Sequence, residues 1–457
     1  MQTSEEFYGQ NILGASEVFA IAGAVSVVAL LMLNSWSVAL AIAGAAGAAL
    51  ILWAAWAAQR EPASLLCAVL LIESFASTTV LPITEDQRYA IRYPLLLLFC
   101  LPTLARLGRN PLNWQGGFRD YWLYLLWGLL SVTHSLLPSY SLARIVAAML
   151  LYSIIVYIVG NVRNTADITK LLGWFIVGCV AVWIAMVFSL IVMPHDLVWA
   201  PDEAGIVRFK GIFGSPNEVG EIALATIGAS VILWPTALPK TRALLALNIV
   251  VATALTGLAD SRSMFVSIAA GVFLYLVWRY RWRGVILIAA ISLLLLAGSR
   301  LVSSDYISRG EVSTLTGRSD IWRFAIKKIE ERPITGWGYE VEGQILQDVH
   351  FPIWWGPWEE GPHSSLHSGY LARAVGVGVP ATAFWLFVLL RSWLSLFRRD
   401  YDPWQLKSGV FLAVIPILIL NSVESTAGDC RYAVGLLGTV LWALAERQRL
   451  RSKAIAD

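Results

Sequence analysis

Five histidines and a scattered set of basic residues are the groups in this chain best suited to chemistry. An imidazole exchanges its proton near neutral pH and so can act as a general base. His363 and His367 stand four residues apart in PHSSLHSGYLARAVGVGVP. That spacing could place both on one metal ion, but no acidic or cysteine partner has ligand spacing, so no metal or cofactor is expected. The other three, His134, His195 and His350, read as hydrogen-bonded interface residues. Arg88, Arg92, Arg144, Arg208, Lys210, Arg262, Arg318, Arg323 and Arg431 form the basic set. Arginine suits phosphate, because its planar fork donates two parallel charge-assisted bonds. Any one such residue can be an interfacial anchor whose stem lies in apolar surroundings; the set points to an anionic ligand. Familiar nucleotide, nucleophile-elbow and zinc-protease motifs are absent. Asp400-Tyr-Asp402, ahead of Pro403, reads as a solvated turn.

The elements that must position these residues are membrane helices. The chain has 457 residues, of which 57% are hydrophobic and 14% charged, with a mean hydropathy of +0.65. Soluble domains carry about a quarter charged residues, so this composition excludes a soluble fold. The net charge of +3 gives no sign of nucleic acid. The four cysteines show no disulfide or metal spacing. The stretch MQTSEEFYGQ lacks the basic start of a cleaved signal peptide, so the first span is expected to stay as a signal-anchor. An all-α polytopic protein is expected, with about fourteen spans. They fall near 17–33, 37–57, 63–82, 89–105, 121–137, 144–160, 171–193, 217–234, 241–257, 263–278, 284–299, 370–396, 408–423 and 431–446. Glu73 inside the third span needs a partner, and Arg88 or Arg92 would serve.

Orientation follows the basic residues. With both termini in the cytoplasm, 18 of the 34 lysines and arginines fall in inner loops and the tail. All five histidines and the basic set above then face outward. Three outer segments are expected: 194–216, 260–262, and a large one from about 300 to 367. Within the last, GRSDIWRFAIKKIEERP has Ile321, Ala325 and Ile329 at helical spacing. That helix either lies on the outer membrane surface or packs on the protein. Four regions result: 1–120, N-terminal spans without signature; 121–299, a core with the arginine motifs; 300–367, the large loop with its amphipathic helix; and 368–457, the C-terminal spans and basic tail.

Four stretches together resemble the O-antigen ligase and polymerase superfamily, including exopolysaccharide polymerases of the succinoglycan type. LLSVTHSLLPSYSLARI, Leu129 to Ile145, is similar to the family's Ser-x-x-Trp-Ser-x-x-Pro-x-x-Ser-Leu-x-Arg segment, with His134 in the tryptophan's place and Arg144 at its end. RFKGIFGSPNEVGEIAL, from Arg208, resembles Arg-x-x-Gly-x-Phe-x-x-Pro-Asn. LADSRSMFVSIAAGV resembles the Ser-Arg segment that opens a span and supplies Arg262. TGRSDIWRFAIKKIEERPITGWGY with HSGYLARAVGVGVP resembles the large loop and its His-Asn-x-Tyr-Leu ending, with Ser368 in the asparagine's place. The resemblance covers roughly 120–445.

It implies an inverting glycan transferase at the outer face of a bacterial inner membrane. The donor would be a glycan on undecaprenyl pyrophosphate, and the acceptor a hydroxyl of another lipid-linked glycan or of lipid A–core. Arg208 and Arg262 would neutralise the pyrophosphate, supported by Lys210, Arg144 and Arg318. His367, followed by glycine, tyrosine and leucine as in the family, would take the acceptor's proton, with His363 beside it. Asn217 and Glu218 would orient a sugar or Arg208. Trp354, Trp355 and Trp358 either stack on sugars or sit in an aromatic belt. The Gly-Arg-x-x-Ile-Trp helix start favours a polymerase over a ligase. A lipid-linked-glycan flippase is disfavoured, because the polar residues gather outside and no repeat is visible. A docking subunit among other polysaccharide assembly proteins is the remaining alternative.

Overall fold

A computed structural model describes residues 61–80, 91–97, 99–100, 103, 111–201, 207–281, 283, 286, 318–347, 366–397, 410–423 and 433–456. The first helices are α1 (Ser64–Ala76), α2 (Gly116–Ser131), α3 (Pro138–Asn161) and α4 (Thr165–Val192). A two-stranded antiparallel ribbon follows, β1 (Trp199–Pro201) with β2 (Val207–Phe209). Next come α5 (Pro216–Leu233), α6 (Pro239–Ala259) and α7 (Arg262–Tyr280). The large loop contributes α8 (Arg318–Glu331) and α9 (Glu342–Gln347). The chain then continues through α10 (Gly369–Val377), α11 (Val379–Phe397), α12 (Ile415–Val423) and α13 (Ala433–Ala456).

Local chemistry sets the helix starts. Proline opens α3, α5 and α6, where its missing N–H would have had no helical partner. Asn164 and Asp167 form a reciprocal capping box on α4. Ser215 caps α5, accepting from the Asn217 amide at 3.2 Å.

Five helices among the described residues are long and apolar enough to cross a bilayer: α3, α4, α5 with its following turn, α6 and α7. Three shorter apolar helices are Ser64–Ala76, Val379–Ser395 and Phe411–Ser422. A mostly helical membrane protein is therefore supported, and a count of fourteen spans is not. The spans expected at 17–33, 37–57 and, but for one residue, 284–299 lie outside the described residues.

Two expectations need correction. The helical fold carries a strand ribbon, and it bears Arg208. Phe209 is fully buried there, and the Lys210 and Gly211 amides both donate to the Val198 carbonyl, which folds the chain back beside β1. The span expected at 370–396 is two helices. Gly378, at φ +86°, breaks it, and a Cβ there would lie 2.1 Å from the Ile334 carbonyl oxygen. Residues 333–338 lie against the break: Val379 donates to Pro333, Trp337 to Val375 and Gly338 to Gly376, at 2.8, 2.9 and 2.9 Å. At nine residues, α10 is about 14 Å long, too short to cross a bilayer.

The structure also decides between the two placements for the amphipathic helix. Ile321 and Ala325 of α8 are buried with Val341, Leu366, Ala372 and Val375. Its apolar stripe packs on the protein, on α9 and α10.

Inside the bundle the helices approach through small residues, as membrane helices do where apolar burial gives no drive. A Cβ on Gly220 of α5 would meet Ser261, and one on Gly271 of α7 would meet Pro416. Glu73 finds Arg92, through Nε–Oε1 at 3.1 Å and Nη2–Oε2 at 2.7 Å, with both side chains almost wholly buried. Arg88 lies outside the described residues.

Candidate functional site

Two of the arginine motifs meet at the turn joining α6 to α7. Asp260 ends α6 in the left-handed conformation, at φ 48°, which aspartate tolerates because its short side chain can bond locally. The turn is closed by the Asp260 amide on the Gly257 carbonyl and the Ser261 amide on the Thr256 carbonyl. Arg262 then begins α7, four-tenths exposed, with its Nε 3.8 Å from an Asp260 carboxylate oxygen. Arg208 reaches the same turn from β2. Its Nε donates to the Ala259 carbonyl at 2.9 Å, and its Nη2 to the Asp260 carbonyl at 3.0 Å and to Asn217 Oδ1 at 3.2 Å.

Several charged groups gather at this place. Arg208 ties the N-terminal turn of α5, through Asn217, to the last carbonyls of α6, next to the point where α7 begins. Lys210, half-buried, follows on the ribbon, its backbone bonded to Val198 and Phe213. Glu218 stands in the first turn of α5. The segment after Arg208 is fixed from α1: the Thr79 amide and the Thr78 hydroxyl donate to the Ile212 carbonyl at 2.9 and 2.8 Å.

The Leu129–Ile145 motif does a different job. Arg144 is buried on α3; its Nη2 donates to the Tyr140 hydroxyl at 2.8 Å, and its Nε lies 3.9 Å from Glu340 Oε2. The serines and His134 hold the large loop. The Tyr339 amide donates to Ser131 Oγ at 3.0 Å, and the Leu136 amide to the Trp337 carbonyl at 3.1 Å. His134 Nε2 donates to the Thr335 carbonyl at 3.0 Å. Gly338, at φ +119°, packs so tightly on Ser135 that no other residue fits there. This motif and residues 333–340 thus form one clamp, whose other jaw is the break between α10 and α11.

His367 precedes α10 at φ 47°, with Ser368 as the N-cap residue. α8 reaches this segment through Trp322, whose Nε1 donates to the Leu366 carbonyl at 3.1 Å. Arg318 opens α8. α12 links the histidine segment to the arginine helix. Asn421, fully buried on α12, fills the space against Gly369, while Pro416 of the same helix packs on Gly271 of α7.

The structure thus groups Arg208, Asn217 and Arg262, puts Lys210 and Glu218 beside them, and sets Arg144 in the clamp. His363, His350, Trp354, Trp355, Trp358 and Arg431 lie outside the described residues. Sequence reasoning passed over Arg373 and Asn421. Arg373 donates to the Tyr124 hydroxyl and lies 4.4 Å above the Trp385 ring. Its signal was a charge inside the apolar run that follows His367. Among the described residues no cluster of three or more metal-ligating side chains is present.

Residues 244–386, from early α6 to the middle of α11, match the O-Antigen ligase family model. The stretch contains Arg262, Arg318 and His367; Arg144, Arg208, Lys210, Asn217 and Glu218 precede it. No curated protein matches the chain. Glycan transfer of the ligase and polymerase type, between a lipid-linked glycan and an acceptor in a bacterial membrane, is the activity that goes with that family. Through residues 244–386 the chain is similar to the O-antigen ligase family.

Proposed function

We propose that this protein is an inverting, metal-independent polymerase of a surface polysaccharide. It acts at the periplasmic face of the inner membrane, with both termini in the cytoplasm. The donor is a glycan on undecaprenyl pyrophosphate, and the acceptor is a hydroxyl of a second lipid-linked glycan. The observation that carries the reading is the meeting of Arg208 and Arg262 at the turn between α6 and α7, beside the N-terminus of α5. Cations and helix ends together suit a pyrophosphate whose charge grows as it leaves.

The step is a displacement. The acceptor oxygen attacks the anomeric carbon, its proton passes to His367, and the bond from that carbon to the pyrophosphate oxygen breaks with its electron pair. Arg262, exposed and only loosely held, takes the pyrophosphate together with Lys210. Arg208, already bonded to two carbonyls, fixes the turn that presents Arg262. The alternative, a ligase moving a finished chain to lipid A–core, would use the same step.

His367→Ala tests the reading in a size ladder of the cell's glycan and in purified protein given the lipid-linked donor. Loss of a general base is expected to slow release of undecaprenyl pyrophosphate by ~10²–10⁴-fold, at unchanged protein level. Acceptors should then carry single repeats. Full-length polymer stranded on its lipid would instead mark a ligase, and full output would sink the site.

A further inference from the structure

A groove of about 720 Å³ runs along α11, beginning more than a turn below the Gly378 break. Leu386, Phe387, Leu390 and Leu394 line it as one stripe about 12 Å long. Phe387 and Leu394 are each more than half exposed. Arg391, between Leu390 and Leu394 on the helix, and Arg449, from α13, line it as well.

Among the described residues the charges around these two arginines do not cancel. Asp120 takes Arg391 at 2.8 Å and Arg119 at 2.9 Å, while Glu446 takes Arg449 at 2.6 Å. Three guanidiniums therefore share two carboxylates. Glu446 is fully buried and also accepts from the Gly117 amide and the Ser392 hydroxyl, so it has little capacity left. Among the described residues the Arg391 Nε is buried with no hydrogen-bond partner. An apolar stripe flanked by a cation in excess of the described carboxylates matches an amphiphile with an anionic head.

We propose that this groove binds an acidic phospholipid, with its phosphate at Arg391 and Arg449 and an acyl chain along Leu386 to Leu394. Basic pockets beside membrane helices take anionic head groups in this way. A zwitterionic lipid would bring its own ammonium toward the uncompensated cation, so the site selects for net negative charge.

The test uses the purified full chain in mixed micelles of phosphatidylglycerol or phosphatidylcholine with identical acyl chains. Phosphatidylglycerol is expected to raise Tm in proportion to its mole fraction, and phosphatidylcholine to leave it unchanged. Arg391→Gln should lose the rise. Because that variant also breaks the Asp120 pair, Leu394→Trp is the second variant; it fills the groove and leaves every ion pair intact. It should match the parent in phosphatidylcholine and lose the phosphatidylglycerol response. A rise that survives Leu394→Trp overturns the proposal, as does an equal rise with inorganic phosphate alone. Photocrosslinks from position 394 to residues 1–60, or to a second copy of the chain, would likewise overturn it, since protein would then fill the groove.

Discussion

The two ends of the bundle use arginine in opposite ways. At the end carrying α10 and the ribbon, Arg208 meets carbonyls, Arg144 meets a hydroxyl, and the carboxylates beside Arg144 and Arg262 stand at 3.9 and 3.8 Å. At the end carrying the last turns of α13, Arg447, Arg449 and Arg451 are tightly held. Arg449 forks onto Glu446 through Nε and Nη2, at 2.7 and 2.6 Å. Arg451 donates to the carbonyls of Arg163 and Val162, and Arg447 to that of Val159, which ties off the C-terminus of α3. Burial, then repulsion from Arg451, lowers the Arg447 pKa to about 10. Short, buried, forked pairs hold helices together. Loosely held cations keep their field for a ligand.

Substitutions can break the contrast. Glu446→Ala should have the largest effect, because it leaves Arg449 and the Gly117 amide unmatched in a buried site. Losing one partner of a buried pair costs ~3–5 kcal/mol. Denaturation in detergent should show that loss, while turnover per folded molecule stays the same; a fall in turnover would deny the ends their separate roles. Arg262→Ala should do the reverse. Removing a donor aimed at developing charge costs ~10²–10³ in turnover, with little change in Tm, because its carboxylate contact is loose and exposed. A lowered Tm with normal turnover would make Arg262 an anchor.

Length and hydropathy made α3 to α7 legible, since each is an unbroken apolar run that a bilayer requires to be helical. The partner of Glu73 was legible for a related reason: a buried carboxylate must find a cation, and two were near. The break at Gly378 was not, because Gly376, Gly378 and Pro380 are ordinary residues in membrane helices and the apolar run continues through them. Only the chain at 333–338, which docks there, distinguishes a break from a span. The placement of α8 was open for the same reason: a stripe of Ile321 and Ala325 is identical whether it faces lipid or Leu366. At the site, residue types pointed to Arg208 and Arg262, but the backbone carbonyls that hold Arg208 carry no side-chain signature, and they lie 51 and 52 residues along the chain.

Those carbonyls give the smallest and most discriminating test. Arg208→Lys keeps the charge but not the fork, so it cannot span Ala259, Asp260 and Asn217 together. If Arg208 acts by positioning, the turn loosens. One or two hydrogen bonds to a charged donor are lost, at ~1.5–3 kcal/mol each before water replaces them. Turnover should then fall clearly in the lysine variant, and Arg262→Ala added to it should cost less than it does alone, because the two act through one turn. If Arg208 instead meets the pyrophosphate as a charge, lysine should retain most of the activity and the two losses should add. The double-mutant cycle, measured as turnover per folded molecule, separates an arginine that builds the site from one that occupies it.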